Sequence, residues 1–417
     1  MTLWLALLLA LVALLRPLRA DVVPGDIITD QNVDRVKELV SPGLEWCIRH
    51  GWPITIGETR RIEWLKAYKE ATEKYSSQVK LSADGLALQS YVAGLPFPNL
   101  DPKDPQIALK IMWNYEYGLL TDDLDIRNFD ADTGTIADHG GMTIERHFLL
   151  DHLRRLFWNG RLYVDPKPEM DNPNGYRRQE GLYPVLEPYD LKGVGGLSNR
   201  YIDASKQDDS WLYLPSLRRV RRLSAAQRSD ALFGQDTDVD SYGGYAGHIA
   251  WMSWKYLGEK QMLGCWHAEN YPVKWAAGGA DFAFDDGWEK RKVHVVEGVS
   301  KLAQYAYSKR ILFIDNETWA VPYSDIYDRS GQLWKIWVNE FSFRKQPFPG
   351  AKLSTYAEEQ AYAPSIVMVD MQLQHATKAA LPSHKFPGEE GWYFNLGEKS
   401  GSTEDFFTIA HLIESGR

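Results

Sequence analysis

From about residue 122 towards its C terminus the sequence repeats one pattern, short runs in which aromatic and aliphatic residues alternate with polar ones, separated by turn-forming clusters. A period of two places successive side chains on opposite faces of a strand. The clusters DADTG (130–134), SKQDDS (205–210), DNET (315–318) and DRSG (328–331) are where such a chain would reverse. The intervening runs, 310–314 and 332–341 among them, are rich in the β-branched and aromatic residues that suit a pleated surface. A long antiparallel meander is the fold this pattern allows.

Helical periodicity is confined to the region before it. NVDRVKELV (32–40) reads as a short helix capped by Asn32 and ended by Pro42 and Gly43. In 62–75, Trp64, Leu65, Tyr68, Ala71 and Tyr75 recur on one helical face. A hairpin follows, turning at Ala83-Asp84-Gly85, and then a helix over 105–117 opened by a proline. The stretch 165–199, dense in Pro, Gly and Asn, reads as a long loop and holds any internal boundary in an otherwise single large domain, 21–417. The expected class is α+β, with a large curved antiparallel sheet under a helical cover.

Residues 1–20 carry an apolar run from Leu3 to Leu15, shorter than the roughly 20 residues of a membrane span and suited to a signal-peptide core. Two features depart from that pattern: no Lys or Arg precedes the core, and Arg16 and Arg19 sit near the cleavage region, so an uncleaved anchor is the alternative. Removing the leader takes both arginines with it and moves the formal charge from −9 to −11. A chain this acidic is a poor partner for nucleic acid. Cys47 and Cys265 are the only cysteines, neither placed for lipidation at the end of the leader; in an oxidising compartment they either pair or stand as two buried thiols. The reading is an exported periplasmic protein.

DDSWLYLPSLRRVRRLS (208–224) places four arginines behind an aromatic run. As a strand it sends Trp211 and Tyr213 one way and Leu212 and Leu214 the other. Pro215 then breaks the ladder, and a second strand starts beyond a tight turn. The arginines therefore lie on or next to one strand.

YVAGLPFP (91–98), WLYLPSLRRVRRLS (211–224) and KRILFIDNETW…YDRSGQLWK (309–335) resemble the domain-of-unknown-function 1329 family of exported proteobacterial proteins, over nearly the whole mature chain. Its second half is also similar to outer-membrane lipoprotein-sorting proteins. The resemblance implies a helix-covered, half-open barrel and a non-enzymatic carrier of a lipid or other hydrophobic molecule. The implied partner is a transporter of the resistance-nodulation-division type; a rival reading makes the chain an assembly partner that docks to an outer-membrane protein through its aromatic sheet edge. Each buried methylene would contribute about 0.8 kcal/mol to holding such a cargo. Alternation in the strands suggests Trp211, Tyr213, Leu214, Phe313, Trp334 and Trp337 as lining, with Trp64 and Tyr68 from the covering helix. The same rings would serve equally as a filled core. Arg218, Arg219, Arg221 and Arg222 would bind an anionic head at the rim, or else pair with the protein's own carboxylates.

Other chemistry is less well marked. DTDVD, with Asp236, Asp238 and Asp240, has part of a calcium-loop spacing, but Ser241 replaces the turn glycine and Gly247 the terminal glutamate, which leaves a polar turn. His139, His147 and His152 lie near Glu145 and Asp151 and form the basis of a rival reading as an envelope hydrolase. On a strand, Glu145 and His147 would share a face that His152 opposes. GVGGLSN (193–199) lacks the spacing of a dinucleotide loop, and the NET sequon at Asn316 falls in a turn. No cofactor or metal is expected.

Overall fold

The computed structural model describes residues 22–118, 121–138, 140–224, 227–276 and 281–417. The expected leader, 1–20, and His139 lie outside the described residues. The first strands are short: β1 (Ile27–Ile28), β2 (Ile54–Ile56), β3 (Lys80–Leu81) and β4 (Leu88–Gln89). A first meander follows, β5 (Asp123–Ile136), β6 (Met142–Phe157), β7 (Tyr176–Leu182), β8 (Val185–Glu187), β9 (Gly195–Tyr201), β10 (Asp209–Leu214) and β11 (Arg219–Arg222). A second comprises β12 (Met252–Gly264), β13 (Gly287–Ser300), β14 (Lys309–Asp315), β15 (Tyr323–Tyr327), β16 (Leu333–Arg344), β17 (Gln360–Asp370) and β18 (His375–Ala380), with β19 (Trp392–Phe394) after it. The α-helices are α1 (Pro42–Arg49), α2 (Lys66–Tyr75), α3 (Ile107–Tyr117) and α4 (Ile409–Ser415).

From β12 to β18 each strand pairs antiparallel with the next. The earlier meander runs β5–β6–β7–β9–β10–β11, with β8 filling in beside β6. The two join where β18 and β19 pair with β5. The result is a 17-stranded sheet. It is mixed rather than wholly antiparallel, because β2 pairs parallel with β13 and carries β1 on its other side. Among the described residues β11 pairs only with β10 and β12 only with β13, so the sheet is not closed into a barrel.

Alternation sorts the apolar residues onto two faces. On β14, Ile311 and Phe313 join a core built with α1 and the 3-10 turn Val33–Leu39, while Leu312 and Ile314 meet α3 on the opposite side. On β16, Ile336 and Val338 face the first core and Trp337 the second side. Cys47 and Cys265 are free, buried thiols in the first core, and burial pushes both well up.

Several local expectations shift. Pro42 and Gly43 begin a helix rather than end one: Ser41 Oγ accepts the Leu44 N–H at 3.2 Å as the N-cap, and proline is tolerated in a first turn. Residues 33–39 form a 3-10 helix whose Asn32 makes no side-chain cap. The second helix starts at Lys66, so Trp64 precedes it; Tyr68 and Ala71 are buried as the periodicity requires. DADTG is no turn but the middle of β5, where a bulge between Thr133 and Gly134 absorbs the glycine. A Cβ at Gly134 would lie 2.0 Å from the Thr143 carbonyl oxygen. The stretch 165–199 holds β7, β8 and most of β9 rather than a long loop. Its inward residues include Arg177 and Gln179, so no apolar alternation announces β7.

Candidate ligand-binding cleft

Strands β16, β17, β19, β5, β6 and β7 occupy successive positions along the sheet, with β19 beside β5 in line with β18. At about 4.8 Å per strand those six positions would spread over about 24 Å if flat. Yet residues from all six line one cleft of 250 Å³, so the sheet wraps around it. Phe341 comes from β16, Ala361 and Ala363 from β17, Trp392 and Phe394 from β19, Leu124 from β5, Arg155 and Phe157 from β6, and Arg178 from β7. The cover is the C-terminal end of α3 (Tyr115, Glu116), the segment 242–246 and the turn 319–321. A side pocket of 50 Å³ shares Thr121, Ala361 and Phe394 with the cleft and is closed by Trp64, Tyr68 and Tyr163. Two wider grooves, of 720 and 580 Å³, have mainly charged and polar walls such as Arg60, Lys69 and Lys292 or Lys274, Asp285 and Glu269. They lack the apolar lining a hydrophobe needs.

Beneath the cover lies a buried ionic network. Arg310 is fully buried; it donates to the Gly244 carbonyl at 2.8 Å and to Tyr305 Oη at 3.0 Å. Tyr305 in turn donates to Asp240 at 2.8 Å, and Asp240 pairs with Arg228 at 2.5 Å. Arg228 reaches Asp208 at 2.9 Å, and Asp208 pairs with Arg200 at 2.7 Å. Tyr307 and Ser241 both donate to Asp238 at 2.6 Å. This chain of bonds ties the segment 228–248 to β9 and β14. Removing one member of such a buried set typically costs about 3–5 kcal/mol, because its partner is left charged and dry. That part of the cover, 242–246, is therefore anchored to the sheet by buried hydrogen bonds and ion pairs.

The charges nearest the cleft are unevenly matched. Glu116 faces both Arg177, at 3.7 Å, and Arg178, at 4.0 Å, whereas Arg155 pairs with Glu180. Burial and then the neighbouring Arg200 push the Arg178 guanidinium down to about 10, and the arginines hold Glu116 below the usual carboxylate range despite its burial. On the facing wall Trp319 is buried with its indole N–H unpartnered.

The residues expected to line a cavity are dispersed. Trp64 and Tyr68 reach the side pocket. Trp337 lies one layer deeper, fully buried under Tyr242 with their rings 5.2 Å apart. Trp334 packs beside Tyr307 and donates to Asp370 at 2.8 Å. Phe313 is on the opposite face, against Tyr323. Trp211 and Tyr213 belong to a separate cluster with Tyr183, Phe406 and Leu412, and Leu214 is half-buried at the end of β10. Arg218, Arg219, Arg221 and Arg222 are exposed and do not line the cleft; Arg222 pairs with Asp209, and the other three have no ion-pair partner among the described residues.

The histidines are likewise separated. His147 meets Asp132 at 2.8 Å, Asp130 at 3.3 Å and Lys385 at 2.6 Å, while His152 binds Asp125 at 2.8 Å. Glu145 does not share a face with His147 as expected: the bulge opposite Thr133 and Gly134 turns it towards Thr135 and His375, and Asp151 lies 3.6 Å from His152. Asp130, Asp132 and His147 are the one group among the described residues with metal-ligand proximity. DTDVD is more than a polar turn: Asp238 and Asp240 are hubs of the buried network, and Asp236 receives Thr377 and faces His375. Arg155, Arg178, Glu116 and the ring pair Trp392–Phe394 escaped the sequence reading. The signal lay in charged residues inside short alternating runs, YRRQEGL above all, which resemble surface strands when read alone.

The family model of the DUF1329 proteins, described as proteins of unknown function, matches residues 27–412. An uncharacterized protein of Pseudomonas aeruginosa is 26% identical over 327 residues, covering 74% of this chain and 67% of that protein. A solved structure described as a candidate outer membrane lipoprotein-sorting protein domain from Vibrio parahaemolyticus superposes with a TM-score of 0.50 at 16% identity, over 74% of this chain and 100% of that one. A DUF1329 family protein from Desulfovibrio piger gives a TM-score of 0.47 at 12% identity, over 72% of this chain and 96% of that one.

Proposed function

The chain belongs to the DUF1329 family, and from that membership and the shape of its cleft we propose that it is a carrier which binds one hydrophobic molecule between the wrapped sheet and its cover. The observation that carries this reading is an unfilled 250 Å³ space walled by Phe157, Phe341, Trp392 and Phe394 and reached by six strand positions of one sheet. Ligand pockets usually start at about 300 Å³, so the cleft with its side pocket suits one chain or a small ring system. The lipoprotein-sorting description of the Vibrio relative points the same way. Among the described residues no helix is long and apolar enough to cross a membrane. Periplasmic residence, with delivery to a resistance-nodulation-division type transporter or an outer-membrane protein, completes the proposal.

The test is native mass spectrometry of the protein purified from its own periplasm, before and after organic extraction. An extractable hydrophobe is expected, and Ala363→Trp, which fills the cleft from β17, should abolish its retention while circular dichroism stays unchanged. Retention unaffected by Ala363→Trp would move the site elsewhere; no hydrophobe, and no uptake of an added fatty acid, would end the carrier reading.

A further inference from the structure

Resting on the carrier reading, we propose that the cleft selects a single-chain amphiphile whose head group is anionic, a carboxylate or a phosphate, seated against Arg178 with its tail along Phe157, Trp392 and Phe394.

A cleft meant for hydrocarbon alone would be lined by apolar groups, yet this one has arginine side chains from two adjacent strands in its wall. They are there because β6 and β7 pair Arg155 with Glu180 and Phe157 with Arg178, which sends ring and guanidinium to neighbouring places on the wall. Arg155 is satisfied by Glu180. Arg178 is not comparably satisfied: it donates to the Ala246 carbonyl at 3.2 Å, and the one carboxylate in ion-pair reach of it among the described residues, Glu116 at 4.0 Å, is shared with Arg177, which stands closer, while Glu180 is engaged by Arg155. A guanidinium has five N–H donors, so most of those on Arg178 remain for a ligand. The wider network holds six arginines (155, 177, 178, 200, 228 and 310) against five carboxylates (116, 180, 208, 238 and 240), leaving one positive charge in excess inside an acidic protein. A carboxylate or phosphate accepts two parallel N–H bonds from such a fork and supplies the missing charge. A neutral hydroxyl head can accept a single hydrogen bond from Arg178 but offers neither the second parallel bond nor the compensating charge. The aromatic wall then receives the tail, with the unpartnered Trp319 indole N–H on the same lining.

The experiment compares decanoate, decyl phosphate and decan-1-ol by isothermal titration calorimetry on delipidated full-length protein, with Arg178→Gln and Arg178→Lys alongside. Expected are at least tenfold tighter binding of one or both anions than of the alcohol, loss of that preference in Arg178→Gln, and its partial return in Arg178→Lys. Whichever anion binds more tightly identifies the head group. Equal binding of all three probes by the unaltered protein would overturn the anionic selection and leave the carrier reading standing. An anion preference that survives in Arg178→Gln would overturn the assignment to Arg178. Binding of none of the three would overturn the carrier reading, and this inference with it.

Discussion

Asp325 carries a pH dependence that can be worked out from its surroundings. It is fully buried on β15, and burial pushes its carboxyl up to about 7 even though Ser41 Oγ and the Gly43 N–H both donate to it, at 2.8 and 3.2 Å. Its ordinary value is 3.8, so the folded state holds the proton more tightly than the unfolded chain does. The associated stability is fully present below about pH 4 and is lost as pH rises to about 7, a difference of about 4 kcal/mol. Asp325→Asn keeps an acceptor for Gly43 and a donor for Ser41 without the titration. Urea unfolding should show the variant more stable than the parent at pH 8 and equal to it near pH 4; a gap that widens on acidification would refute this account. Nothing in YSDIY, read alone, distinguishes this aspartate from an exposed one. Its burial comes from the start of α1, more than 280 residues earlier in the chain. The same holds for Arg310, Asp238 and Asp240, whose partners converge only after folding.

Among the elements, the β10–β11 hairpin was readable almost residue by residue. Trp211 pairs with Arg222 and Leu214 with Arg219 across a 3-10 turn begun by Pro215, with Arg218 in the left-handed region at φ 53°. Its role was not readable, because membership of a cluster with Tyr183 and Phe406 depends on where the sheet curls. β11 is an outer strand, and exposed cations on such strands oppose pairing with another chain. Arg219→Thr with Arg221→Thr should leave the melting temperature within about 2 °C of the parent, since exposed substitutions rarely exceed ±0.5 kcal/mol. The same pair of substitutions should increase self-association on light scattering. Unchanged light scattering would mean that the arginines do not guard this strand. The misread elements share one cause: DADTG and 165–199 carry turn-type or charged residues that the sheet accommodates by a bulge and by inward ion pairs.

For the whole molecule, the seam where β18 and β19 meet β5 decides whether two meanders behave as one body. Thr133 and Thr377 hydrogen-bond across it at 3.0 Å, and one core contains residues from both meanders, Phe129 and Phe148 with Trp337 and Met368. Calorimetry should therefore show a single transition with equal calorimetric and van't Hoff enthalpies. Two resolved transitions would separate the meanders into independent domains. Period-two alternation and turn chemistry by themselves determined a strand-rich α+β chain with helices at its start, because those signals act over a few residues. Only the tertiary structure decided which rings are packed solid, which line a cleft, and which charges are enclosed beneath its cover. Those outcomes depend on how far a twisted sheet wraps around, and that is set by contacts between residues far apart in the chain.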